Sequence, residues 1–300
     1  MSPRFSIIIT VCNNAPQLRE CLDSVLKQDF CDWEAVCIND GSTDGTGETL
    51  DEYAARDSRF KVYHKTNGGV SSARNLALRK ATAPWIKFVD PDDSVETGCL
   101  SSIMSVVEQN QDVEVIAWGD YSGAKLYEGL WNKAYHRSVV PLHGFRPYAH
   151  GEDRLFILEA LAKASRIITI DKKLYNYKPT SCSVTRRKRD RQWILDTIGY
   201  SGEMIEILRR LRVDAAIGRR LYHDIAVWVL EECSYVECGV AEWKAFLPNM
   251  IECEGFSPWH RFVARKCFSH GVFVQWVLCY LPRVLKRIYV RCTVFGRASP

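Results

Sequence analysis

Three carboxylates occur within four residues in the segment FVDPDDSV, where Asp90, Asp92 and Asp93 follow an apolar run. Like charges this close repel one another, so the segment makes chemical sense mainly where a divalent cation neutralises it. Mg²⁺ and Mn²⁺ bind through one or two protein carboxylates and complete their shells with water and substrate phosphate. The segment therefore predicts a Mg²⁺ or Mn²⁺ site, with a solvent-exposed helix start as the alternative.

Two other acidic segments occupy positions that suit a reaction site. Asp40 lies in the segment NDGSTDG, where its carboxylate can accept a hydrogen bond from a ribose hydroxyl or a base N–H. The Gly and Ser residues of that segment also suit an ordinary Asx-turn. Glu152 and Asp153 open an apolar helical pattern, a position typical either of a general base or of two helix-dipole partners.

The elements that position these residues alternate along the first 118 residues, where short β-branched runs are separated by amphipathic helical patterns. The predicted strands are 5–11, 33–38, 60–64, 85–89 and 113–118. This alternation predicts an α/β fold with a parallel, doubly wound sheet flanked by helices. Ligands of such sheets bind outside the carboxyl ends of the strands. Polar turn segments follow four of the strands, at 10–14, 39–42, 67–69 and 90–93, and are expected to converge on one crevice.

The second half of the chain is less regular. Residues 119–150 show no clear period and are predicted to form an irregular connection. A helix from about Gly151 and a strand at 167–170 follow, and the chain beyond Trp193 has a mostly helical pattern.

Composition excludes several classes of protein. The chain is 47% hydrophobic and 25% charged, which excludes disordered, collagen-like and coiled-coil proteins. Residues 1–160 hold 16 Lys and Arg against 23 Asp and Glu, whereas residues 161–300 hold 24 against 13. The basic half suits an anionic ligand or surface, but no nucleic-acid-binding module is recognisable, so no nucleic-acid partner is expected.

The twelve cysteines include no CxxC pair, which favours buried reduced thiols and a cytoplasmic protein.

In combination, three motifs resemble the nucleotide-diphospho-sugar glycosyltransferases of family 2, of the type that builds bacterial cell-surface glycans. They are CINDGSTDGT, NGGVSSARNLAL and FVDPDDSV, within a close resemblance over residues 5–95. A second block over residues 130–185 carries LWNKAYHR, GEDRLF and LYNYKPTSCSVT. The resemblance implies a GT-A fold, which is Rossmann-like with a mostly parallel sheet.

The resemblance also implies roles for individual residues. Asp153 is expected to be the catalytic base, with Glu152 in support, and Asp92 and Asp93 are expected to hold the metal. The expected donor-binding residues are Thr10, Asn13, Asp40, Asn67, Arg74, Asp90 and Lys133. Trp131 and Lys133 are expected to contact acceptor or diphosphate, with an aromatic core residue and a solvated lysine as the equal alternative.

The implied function is an inverting, metal-dependent transfer from a nucleotide sugar, expected to be a UDP-sugar, to a hydroxyl of a glycan or lipid-linked oligosaccharide. The alternative is a non-catalytic protein that binds nucleotide sugars or glycans with the same fold. Residues 1–190 are predicted to form the catalytic domain, with nucleotide-sugar binding in 1–118 and the acceptor and catalytic part in 119–190.

Residues 191–300 are predicted to form a helical, basic C-terminal region. Residues 261–297 hold eight Lys and Arg and no acid, interleaved with aromatic and aliphatic residues. The apolar stretch 271–281 is shorter than the roughly 20 residues that span a bilayer. Two interpretations remain open: helices lying on an anionic membrane, at the inner face of the cell membrane, or packing of this region on protein.

Overall fold

The computed structural model describes residues 2–119, 129–148, 150–178 and 191–210. Backbone contacts divide the chain into a first unit of residues 1–187 and 207–213 and a second unit of the remaining residues. The first unit contains the sheets and every predicted site residue. In the second unit, the described residues belong to helix α6.

The described residues of the first unit form nine strands. They are β1 (Phe5–Val11), β2 (Trp33–Asp40), β3 (Phe60–Lys65), β4 (Trp85–Val89), β5 (Ser94–Val95), β6 (Val115–Trp118), β7 (Lys133–His136), β8 (Ile167–Ile170) and β9 (Tyr175–Asn176). Seven of them form one sheet in the order β3-β2-β1-β4-β7-β6-β8, and β5 pairs with β9. All pairings within the large sheet are parallel except those of β7, so the predicted mostly parallel sheet is confirmed.

Helices flank the large sheet. They are α1 (Ala15–Leu26), α2 (Thr46–Arg56), α3 (Val70–Lys80), α4 (Cys99–Gln109) and α5 (Glu152–Lys163). Helix α6 (Arg191–Arg210) follows in the chain and lies mostly in the second unit. Side chains of each central strand point alternately to the two faces of the sheet, because a strand repeats every two residues. On β1, for example, Ile7 and Ile9 belong to the same buried cluster as Leu22 of α1, whereas Ile8 belongs to the cluster that contains Ala77 of α3. Both faces of the sheet are therefore buried.

One predicted element was wrong. The region 119–150, predicted as an irregular connection, contains strand β7, which inserts between β4 and β6 and runs antiparallel to both. The four residues KAYH are too few to show a twofold repeat. Their pairing is stabilised by burial of Tyr135, whose ring packs edge-on against Phe88 and Phe156.

The described cysteines form no disulfides, as predicted, but not all of them are buried as the sequence led us to expect. Cys21, Cys37 and Cys99 are buried, whereas Cys12 and Cys31 are exposed. Among the described helices, none is both long and apolar enough to cross a membrane. The predicted membrane-facing segment 261–297 lies outside the described residues.

Candidate functional site

The loops after β1 and β2 are joined by side-chain hydrogen bonds. Asn13, a non-glycine residue with positive φ (53°), donates its N–H to Ser42 Oγ at 3.0 Å. Its Oδ1 accepts from the Thr43 N–H at 2.8 Å. Thr10, half-buried, lies at the end of β1 beside Ile38 of β2. Two of the predicted donor-binding residues therefore lie where these loops meet.

Asp40 and Asn67 form the next part of the site. Asp40 is buried, and its Oδ1 accepts hydrogen bonds from Lys65 Nζ at 2.5 Å and from the Gly68 N–H at 3.0 Å. Asn67 Nδ2 donates to the Asp40 carbonyl at 2.9 Å and contacts Cys12 Sγ at 3.2 Å. The loops after β1, β2 and β3 thus converge at the carboxyl edge of the sheet.

Arg74 connects the strand ends to helix α5. Its Nη1 donates to Glu152 Oε1 at 2.6 Å, and its Nη2 lies 3.6 Å from Asp90 Oδ1. The side chains of Arg74 and Glu152 are only 12% and 8% exposed. Burial lowers the pKa of Arg74, but the neighbouring carboxylates outweigh it and raise that pKa overall. Burial raises the pKa of Glu152 above its ordinary value, against the attraction of Arg74.

The three aspartates after β4 differ in their surroundings. Asp93 is buried, where Tyr175 donates its hydroxyl to Oδ2 at 2.8 Å and the Lys178 N–H donates to Oδ1 at 2.7 Å. Burial raises the pKa of Asp93 to about 6. Asp90 is 36% exposed at its side chain, and Asp92 is half-buried. Asp93 therefore holds the segment around β9 in place, whereas Asp90 and Asp92 lie nearer the solvent.

The carboxylates suit a Mg²⁺ or Mn²⁺ ion that also binds substrate. Asp90 and Asp92 supply the oxygen ligands that these ions prefer. Within the described ranges, no group of three or more His, Cys, Asp or Glu side chains is arranged to hold an ion by itself. Asp90 and Asp92 would supply one or two carboxylate ligands to such an ion, and phosphate and water would supply the others.

Asp153 lies in the first turn of α5, which begins after Gly151 (φ 77°). Asp153 is half-buried, and its Oδ1 accepts a hydrogen bond from the Arg154 N–H at 2.8 Å. Its charge contributes to the raised pKa values of Arg74 and Asp90, so Asp153 lies near both of these side chains.

Lys133 is fully buried, so the alternative of a solvated lysine is wrong. Its Nζ donates to the Gly129 carbonyl at 2.9 Å and to Asn132 Oδ1 at 2.7 Å, which holds the turn before β7. Trp131 in that turn is half-buried and stacks on Tyr175, with ring centroids 4.6 Å apart.

Sequence reasoning missed Lys87. This residue is buried in β4, and its Nζ donates to the Phe88 carbonyl at 2.6 Å and the Trp131 carbonyl at 2.5 Å. Burial lowers its pKa to about 8. The available signal was a single charge inside the apolar strand WIKFV.

Comparison with known proteins shows the family to which this α/β chain belongs. Residues 6–188 match the profile described as Glycosyl transferase family 2, which is more than half of the chain. The chain belongs to this family.

One named relative is the "Uncharacterized glycosyltransferase EpsJ" of Bacillus subtilis. It is 31% identical to this chain over 220 residues, which are 62% of this chain and 64% of EpsJ. The chain thus spans less than two thirds of the length of this relative.

Two solved structures share the fold. Staphylococcus aureus TarS, residues 1–349 in complex with UDP-GlcNAc, has a TM-score of 0.73 at 18% identity, covering 99% of this chain and 93% of that one. The mannosyltransferase PcManGT of Pyrobaculum calidifontis, in complex with GDP-Man and Mn²⁺, has a TM-score of 0.59 at 16% identity, covering 98% and 87%. These likenesses confirm the GT-A fold.

Proposed function

We propose that this protein is an inverting, metal-dependent glycosyltransferase that moves a sugar from a UDP-sugar to a hydroxyl of a glycan or lipid-linked oligosaccharide. The observation that carries the proposal is the Arg74 bridge. It brings the carboxylates after β4 and the acidic start of α5 to one edge of the sheet, although Arg74 and Glu152 are 78 residues apart in sequence. This edge is where parallel α/β sheets bind their ligands.

The donor nucleoside is proposed to lie over the loops that contain Asp40 and Asn67. The Asp40 carboxylate is held in place by Lys65 and Gly68, so it is oriented before any ligand arrives. A fixed carboxylate suits the N–H of a uracil edge. The complex of TarS with UDP-GlcNAc supports a UDP-sugar as donor.

The reaction itself is proposed to depend on Asp153. Its carboxylate takes the proton from the acceptor hydroxyl, whose oxygen then attacks the anomeric carbon from the face opposite the departing nucleoside diphosphate. Attack from the opposite face inverts the anomeric configuration. Glu152 pairs with Arg74, which leaves the neighbouring Asp153 as the base.

Asp92, with Asp90 beside it, is proposed to hold Mg²⁺ or Mn²⁺. A bound ion of this kind neutralises the charge that develops on the leaving diphosphate. The Mn²⁺ in the PcManGT complex supports the use of a divalent ion with this fold. We expect UDP to raise the melting temperature of the full chain in the presence of Mn²⁺ and much less in EDTA. In D92N this Mn²⁺-dependent increase is lost, whereas in D171N, which changes an exposed aspartate, it is retained.

The substitution D153N tests the catalytic proposal. Loss of a general base lowers turnover by about 10²- to 10⁴-fold, whereas UDP binding is unaffected. The matched control is E48Q, which changes an exposed acidic residue in the first turn of α2. Radioactive sugar transfer with the full chain measures turnover. Normal transfer by D153N would show that the base is another residue, and UDP binding without transfer by the wild type would favour the non-catalytic alternative.

The basic segment 261–297 is proposed to place the enzyme at the inner face of the cell membrane, near a lipid-linked acceptor. Its eight cationic and interleaved aromatic residues support this placement. Flotation with anionic liposomes compares the full chain with a variant in which Arg283, Lys286 and Arg287 are serine. Equal flotation of the two would contradict the membrane proposal.

A further inference from the structure

Three aromatic rings extend from the buried side of the site to the surface. Trp131 stacks on Tyr175, with centroids 4.6 Å apart and planes at 19°, and on Tyr177, with centroids 6.1 Å apart and planes at 18°. Tyr175 is 4% exposed, Trp131 is half-buried and Tyr177 is 55% exposed. These three residues are named the aromatic stack below.

The aromatic stack is fixed to the carboxylate motif. The Tyr175 hydroxyl donates to Asp93 and accepts from the Asp90 N–H at 3.1 Å. Lys87 Nζ donates to the Trp131 carbonyl and lies 4.9 Å from the centroid of the Tyr175 ring. The rings therefore keep their position relative to Asp90 without a ligand, which is the rigidity that a binding surface needs.

Sheet topology places the aromatic stack on the side of β4 away from Asp40. In the strand order, Asp40 ends β2, which is separated from β4 by β1, whereas Trp131 precedes β7 on the opposite side of β4. Ala134 of β7 pairs with Lys87 of β4, so the start of β7 lies at the carboxyl end of β4. A nucleoside bound at Asp40 would leave the aromatic stack on the far side of Asp90.

We infer that the aromatic stack is a subsite for a pyranose ring of the acceptor. An aromatic face packs well against the apolar C–H face of a pyranose, and a site of this kind needs polar groups at its edge for the hydroxyls. The residues on either side of Tyr177 in the chain carry such groups: Lys178 forms an ion pair with Glu20, and Asn176 donates a hydrogen bond to Glu96 at 2.7 Å. The assignment to the acceptor rests on the proposed function, because the donor at Asp40 defines the two sides.

Saturation-transfer NMR of the full chain tests this subsite. The probes are methyl β-pyranosides of glucose, galactose and N-acetylglucosamine, in the presence of UDP and Mn²⁺. We expect ring C–H protons of at least one pyranoside to receive saturation from the wild type and from Y177F, which keeps the ring. In Y177A we expect binding roughly three- to tenfold weaker. The control L142A removes the other exposed large apolar side chain among the described residues.

UDP signals in the same samples separate this inference from the proposed function. Pyranoside signals that are equal in Y177A and wild type would overturn the subsite, as would UDP binding without any pyranoside signal. If UDP does not bind but the pyranoside signals still depend on Tyr177, the proposed donor site is overturned and the aromatic stack remains a sugar-binding surface. Absence of both signals would overturn both proposals.

Discussion

Replacing Arg74 by methionine should destabilise the protein strongly, because it leaves Glu152 buried without its partner. The Arg74 and Glu152 side chains are 12% and 8% exposed, so water cannot solvate the remaining carboxylate. Breaking a buried ion pair in this way costs about 3–5 kcal/mol. The contact with Asp90 adds little, since it is longer, at 3.6 Å, and Asp90 is 36% exposed.

The second substitution E152Q identifies the source of this loss. In R74M/E152Q no charge remains unpaired at Glu152, so we expect the double variant to recover at least about 2 kcal/mol relative to R74M. The free energy of unfolding is measured at pH 7 by urea denaturation of the full chain, followed by circular dichroism. A loss below 1 kcal/mol in R74M, or a double variant no more stable than R74M, would refute the buried bridge.

Two further predictions concern stability. Lys87 has a pKa lowered by burial from 10.5 to about 8, so the native state binds fewer protons than the unfolded state between these pH values. The wild type should therefore gain up to about 3 kcal/mol relative to K87M as pH rises from 8 to 10.5, and a pH-independent difference in urea denaturation would contradict this. A Cβ on Gly41 (φ 70°) would lie 2.6 Å from the Asn67 backbone nitrogen, whereas one on Gly45 (φ 83°) would meet nothing within 4 Å. G41A should thus cost more than the roughly 1 kcal/mol expected for G45A and should weaken UDP binding, and equal unfolding midpoints would show that no clash exists.

Much of the fold was predictable because the strands are short, apolar and separated by polar turns. The predicted bounds of β1, β4 and β8 agree with the structure. These elements are specified by a local pattern of burial, which the sequence displays directly. Strand β7 was not predictable in this way, because four residues carry no usable period and its partners come from two distant segments.

The sequence by itself determined the family, the α/β fold and the loops that carry the polar residues, since these depend on residue order within short segments. Only the tertiary structure decided how those residues pair. It directs Glu152 to Arg74, Asp93 to Tyr175 and the buried Lys87 to the Trp131 carbonyl. Each of these contacts joins segments more than 40 residues apart, as their separations of 78, 82 and 44 show. A buried charge must find a partner, but its identity depends on which elements pack together, and no local pattern contains that information.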